Sequence, residues 1–241
     1  MTAIAGKSAT MEPLSLLLRA EPALLGSWLE KAQGRRVAFC LGTLVIGTGL
    51  YGAAMGCWRA PLQGLFVALK LPLIILLTAF GNALLNSMLA PLLGVNIGLR
   101  QTFLGVLISF TIAAAILGAF SPLTAFMVWN APPMTSPPGT LHGAYTLILL
   151  AHVLIIAFAG VTANVRLLRL LEQFGGPAKA RRVLFAWLAG NFLLGSQLSW
   201  ILRPFIGSPD LHVEFFRAEA FQGNFYECVW RAVTWVLAGH Q

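Results

Sequence analysis

Between Gln101 and Val165 the chain runs for sixty-five residues without an Asp, Glu, Lys or Arg. A bilayer crossing takes about 20 mostly apolar residues to cover about 30 Å of hydrocarbon, so this run holds two crossings and a turn. The turn is Asn130-Ala-Pro-Pro-Met-Thr-Ser-Pro-Pro-Gly-Thr-Leu-His-Gly143. The same reading along the rest of the chain predicts helices at 37–57, 65–93, 102–128, 144–165 and 183–201. The expected fold class is therefore all-α, a polytopic membrane helix bundle of about five transmembrane helices within residues 37–203.

Segments of a different pattern flank the bundle. In residues 1–36, Leu14, Leu17, Leu18, Leu25, Trp28 and Leu29 fall near helical spacing beside Arg19, Lys31, Arg35 and Arg36. That is the pattern of an interfacial amphipathic helix on an anionic leaflet. Glu12, Arg19, Glu21 and Glu30 interrupt the apolar core that a signal peptide needs. In residues 204–241, Asp210, Glu214, Glu219 and Glu227 alternate with Phe215, Phe216, Trp230, Trp235 and other aromatics. Residues 224–238 are too short and too charged for an ordinary crossing, and read as an amphipathic segment along the outer surface.

Composition agrees with a membrane domain: 58% hydrophobic and 10% charged residues, with a mean hydropathy of +0.79. A net charge of +8 in a soluble chain would point to nucleic acid. Here the placement of the cations matters more, and it points to no nucleic-acid partner. With the N-terminus inside, eleven cations face the cytoplasm: Lys7, Arg19, Lys31, Arg35, Arg36, Arg100, Arg166, Arg169, Lys179, Arg181 and Arg182. Four face outward: Arg59, Arg203, Arg217 and Arg231. The bias predicts an N-in, C-out orientation, with anionic headgroups as partners on the cytoplasmic side. The absence of a signal-peptide pattern adds weight to a bacterial cytoplasmic (inner) membrane as the location.

The polar residues inside the predicted spans are few. Thr78, Asn82 and Asn86 follow at four-residue steps and stack on one helix face, which should look into the bundle. They serve either hydrogen bonds between helices or a hydrophilic path. Lys70 lies nearer the outer end. It snorkels to the headgroups if the hydrocarbon begins after it, or is buried and needs an anionic partner, for which Glu214, Glu219 and Glu227 are available. His152 sits near the middle of the fourth span. His142 lies roughly 15 Å further along a helix, too far for a second haem ligand at similar depth, and no cofactor is expected. In the fifth span Ala186, Gly190 and Gln197 share roughly one face. The candidate polar bundle face is thus Lys70, Thr78, Asn82, Asn86, His152 and Gln197. The candidate partner or lipid surface is the basic hairpin Arg166, Arg169, Lys179, Arg181 and Arg182 around Gly175-Gly-Pro177, together with Phe215, Phe216, Trp230 and Trp235 on the outer side.

Gly52 and Gly56 form a GxxxG pair, suited to close helix packing within the bundle or between copies. Cys57 and Cys228 both fall on the outer side, where a disulfide is chemically allowed, although buried or free thiols are the default for three scattered cysteines. Asp210, His212 and Glu214 alternate as ligands would on an extended segment. A solvated acidic loop accounts for them without a metal. No Walker-type loop, GxSxG elbow, HExxH helix or paired-aspartate motif is present in the sequence, and an enzyme is not expected.

One stretch carries a family likeness. Ala83-Leu-Leu-Asn-Ser-Met-Leu-Ala-Pro-Leu-Leu-Gly94, followed by Leu99-Arg-Gln-Thr-Phe103 and an apolar run to Pro122, resembles the helix, LLG turn and RQT-type restart of Yip-domain integral membrane proteins. The likeness is confined to residues 83–122. It implies a five-span, cytoplasmic-N, non-enzymatic membrane adaptor of the kind that, in eukaryotic relatives, serves vesicle trafficking and small-GTPase partners. Together these readings predict a scaffold, assembly or accessory subunit with a membrane-protein partner or a second copy of itself. The alternative is a small-solute transporter or oligomeric channel using the polar face of the second helix.

Overall fold

The computed structural model describes residues 34–92, 98–208 and 212–237, and the described residues form helices with no strand. The helices are α1 (Gly34–Gly56), α2 (Pro61–Leu92), α3 (Leu99–Trp129), α4 (Pro138–Leu202) and α5 (Phe225–Leu237). The predicted interfacial helix within residues 1–36 lies almost wholly outside the described residues, as does Asp210.

Four helices are long and apolar enough to cross a membrane: Gly34–Gly56, Pro61–Leu89, Leu99–Trp129 and Pro138–Gln173. Their outward faces carry Ile46, Leu69, Phe80, Leu147, Leu154, Phe158 and Val161, all exposed. Water would penalise such a contiguous apolar surface, whereas hydrocarbon would not.

The elements begin earlier than the polar pattern alone suggests. Pro138 occupies the first turn of α4, where its fixed φ favours the helix and its missing N–H costs nothing, so the turn contracts to residues 130–137. Pro61 starts α2 in the same way.

α4 spans 65 residues but is not one rod. Gly176 has φ 75° and ψ 169°, outside helical space. A Cβ placed on Gly105 of α3 would lie 3.3 Å from the ring of Trp187 and 4.0 Å from Leu167. Those two residues would stand about 30 Å apart on a straight helix. Both reach Gly105 because α4 folds back at Gly176, so the segment expected at 183–201 forms a second arm packed antiparallel to the first.

Glycines let α1 sink into its neighbours. A Cβ on Gly52 would lie 2.6 Å from the Val67 carbonyl of α2, and one on Gly56 would lie 2.6 Å from that of Gln63. The GxxxG pair is therefore spent on packing inside the bundle. Gly47 meets the Ala114 carbonyl of α3 in the same manner. One core cluster joins Cys40, Leu44, Leu107, Ile108, Leu167 and Trp187, and a second joins Tyr51, Met55, Val67, Leu117, Ile148 and Ile206. Above the second, the Trp58 Nε1–H donates to the Pro132 carbonyl at 3.2 Å and its ring stacks on Tyr145, which closes one end of the bundle.

Candidate functional site

The polar side chains of α2 converge on one face, and the face is longer than the sequence pattern suggested. Gln63, Lys70, Thr78, Asn82 and Asn86 are all 0 to 4% exposed. Their spacing of seven, eight, four and four residues keeps them in register on a 3.6-residue helix, and from first to last they rise about 35 Å, the thickness of a bilayer core. The second arm of α4 and the strap that follows it cover this face from end to end.

At one end, Asn82 Nδ2 donates to the Trp187 carbonyl at 3.2 Å and to Asn191 Oδ1 at 2.6 Å. Asn86 Nδ2 donates to the Asn82 carbonyl at 2.8 Å and to its Oδ1 at 2.5 Å, so the two asparagines act as one unit. Gly190 makes room for them, since a Cβ there would collide with Asn82 Oδ1. Midway, Thr78 lies against Gly195. At the other end, Gln63 Nε2 donates to the Pro204 and Phe205 carbonyls, each at 2.9 Å.

Lys70 is fully buried rather than snorkelled. Its Nζ donates to the Pro204 carbonyl at 3.2 Å and to the Glu214 carbonyl at 3.4 Å, and stands 5.1 Å from the centroid of the Phe215 ring. Glu214 thus meets the ammonium through its backbone. Carbonyl dipoles and a π face replace part of the water a buried cation loses. Phe215 is held by edge-to-face contacts with Phe66 and Phe216.

Two residues expected on the same face lie elsewhere. His152 faces α1, where its Nδ1 and the Tyr51 hydroxyl are 2.7 Å apart and the rings meet edge to face. Its Nε2 is buried without a hydrogen-bond partner among the described residues. Gln197 Oε1 accepts from the Phe225 N–H at 3.2 Å, because at its level the helix meets the start of α5 rather than α2. Next to it the Tyr226 hydroxyl donates to the Leu193 carbonyl at 2.6 Å. Gln63, Asn191 and Tyr51 were absent from the sequence-based set. Gln63 had a readable signal, two helical turns before Lys70.

The exposed candidates separate to the two ends. Arg169, Lys179, Arg181 and Arg182 are exposed around the Gly176 break, while Arg166 is partly buried. At the opposite end Phe216 and Trp230 are open and Phe215 is turned inward. Trp235 belongs to α5, with its side chain outside the described set. Cys57 and Cys228 are exposed free thiols, and Cys40 is buried.

Fold and seam together define an α-helical bundle, four of whose helices suit a membrane, held by a polar seam as long as a bilayer core is thick. No protein-family model, curated protein or solved structure matches the chain.

Proposed function

We propose that this chain is a non-enzymatic, five-span protein of a bacterial cytoplasmic membrane, with its N-terminus inside and C-terminus outside, that scaffolds or accompanies another membrane complex. The fate of the polar seam carries the reading. The amide donors of Gln63 and Asn82 and the ammonium of Lys70 are engaged between elements of the same chain, at 2.6 to 3.2 Å, with no exposure to speak of. Groups committed in this way hold a bundle together. What remains available for recognition lies at the ends, in the basic turn around Gly176 and the aromatic shelf of Phe216, Phe221 and Trp230.

A fifth crossing is supported by the second arm of α4. Trp187 stands opposite Asn82 and Pro204 stands opposite Gln63 and Lys70, so the arm follows α2 over most of its length. The basic turn then falls on the side that the positive-inside rule assigns to the cytoplasm. The likeness of residues 83–122 to Yip-domain proteins agrees with an adaptor. Purification in a mild detergent after crosslinking in the membrane should recover a reproducible membrane-protein partner or a second copy. Repeated recovery of an uncrosslinked monomer would overturn the proposal.

One observation favours the solute-path alternative: Gln63 Oε1, Thr78 Oγ1 and Asn86 Oδ1 are buried in the seam without a hydrogen-bond partner among the described residues. Unsatisfied acceptors at three levels are what a hydrated file would use. Thiol accessibility along α2 separates the two readings.

A further inference from the structure

Between α2 and α3, at the end where Leu99 restarts the chain, an outward-facing groove of about 330 Å³ is lined by Phe80, Ala83, Leu84, Leu99, Arg100 and Phe103. Ala83 is buried, whereas Phe80, Leu84 and Leu99 open to the surroundings. Arg100 is the single charged residue of this lining.

We propose that the groove binds one anionic phospholipid, with its acidic headgroup on Arg100 and the first turn of α3 and an acyl chain lying along Phe80, Leu84 and Phe103. Three observations define that occupant. The lining accepts hydrocarbon and offers almost nothing to a polar solute. Arg100 shares the lining with Phe80, Leu84 and Phe103, so one cation stands beside an apolar surface, the pairing that an acidic headgroup and its acyl chain require. The third observation is the start of α3. Its first-turn amides lack intrahelical acceptors and the Gly98 N-cap gives them no side-chain cap, while Gln101 Oε1 accepts only from the Gly98 N–H, at 3.3 Å. Among the described residues, no atom beyond the chain neighbours lies within 4 Å of where a Cβ on Gly98 would stand. A phosphate there meets the positive end of the helix dipole and a guanidinium at once. Arg100 makes an interaction within the protein, but a guanidinium has five donors and can serve both. This site is distinct from the basic turn around Gly176, and it does not depend on the scaffold reading.

Native mass spectrometry of the detergent-solubilised full chain, offered phosphatidylglycerol and phosphatidylcholine of identical acyl composition, tests the site. The protein should retain one phosphatidylglycerol in preference to phosphatidylcholine. Arg100→Gln should lower that preference roughly fivefold, the factor for one basic residue at an anionic surface, and Arg217→Gln should leave it in place. Leu84→Trp, which fills the groove, should reduce retention of both lipids. Equal retention of the two lipids by the wild type would overturn the proposal, as would a preference that survives Arg100→Gln or disappears with Arg217→Gln.

Discussion

Asn82 and Gly190 illustrate how single residues fix the bundle: the amide needs the room that only a missing side chain leaves, and its donors then reach Trp187 and Asn191. Interhelical hydrogen bonds in membranes contribute about 0.6 kcal/mol on average and up to about 1.7. Asn82→Ala should therefore destabilise the solubilised protein by about 1 kcal/mol in a denaturation midpoint, and a double-mutant cycle with Asn191→Ala should show coupling; strictly additive effects would contradict the assignment. The glycines of α1 give a sharper contrast. Gly56→Ala drives a methyl group into the Gln63 carbonyl and should cost about 1–3 kcal/mol, as overpacking against rigid backbone does. Gly42→Ala meets nothing within 4 Å among the described residues and should be neutral or stabilising. Equal midpoints for the two variants would refute the packing described for α1. At this scale the sequence was readable where spacing repeats, as at Thr78, Asn82 and Asn86. Gln63 was missed because a glutamine near a helix start reads as an interfacial residue. Lys70 was undecidable because its partners, Pro204 and Glu214, arrive from a strap more than 130 residues away in the chain.

Among the elements, α4 depends most on one backbone position. Gly176 adopts a conformation essentially reserved for glycine, and forcing another residue there costs of order 1–3 kcal/mol. Gly176→Ala should lower the unfolding midpoint accordingly, while Gly160→Ala, in open space on the same helix, should not. An unchanged Gly176→Ala midpoint would mean that the fold-back does not require this geometry. The break itself was visible as Gly175-Gly-Pro177. The extent of the flanking helices was not, because proline, which breaks helices in their interior, starts them at Pro61 and Pro138. The role of Gln197 was also hidden: its side chain ties down α5, whose start follows 28 residues later, and periodicity within one helix carries no information about such a partner.

For the whole molecule, the charge pattern and the fold-back make a joint prediction about sidedness. Cys57 and Cys228 are exposed, and both should react with a membrane-impermeant thiol reagent added to intact cells. A cysteine at exposed Lys179 should react only after the membrane is opened. Labelling of Cys228 and position 179 from the same side would show that the second arm of α4 does not cross. The central claim, that the seam is a closed structural joint and leaves recognition to the ends of the bundle, is tested most directly by placing single cysteines at Thr78, Asn82 and Asn86 in the otherwise intact chain. Cys57 serves as the reactive reference. The account predicts that all three positions stay protected from a water-soluble thiol reagent while Cys57 reacts; modification of positions 78, 82 and 86 at rates comparable to Cys57 would show a hydrated path and contradict it.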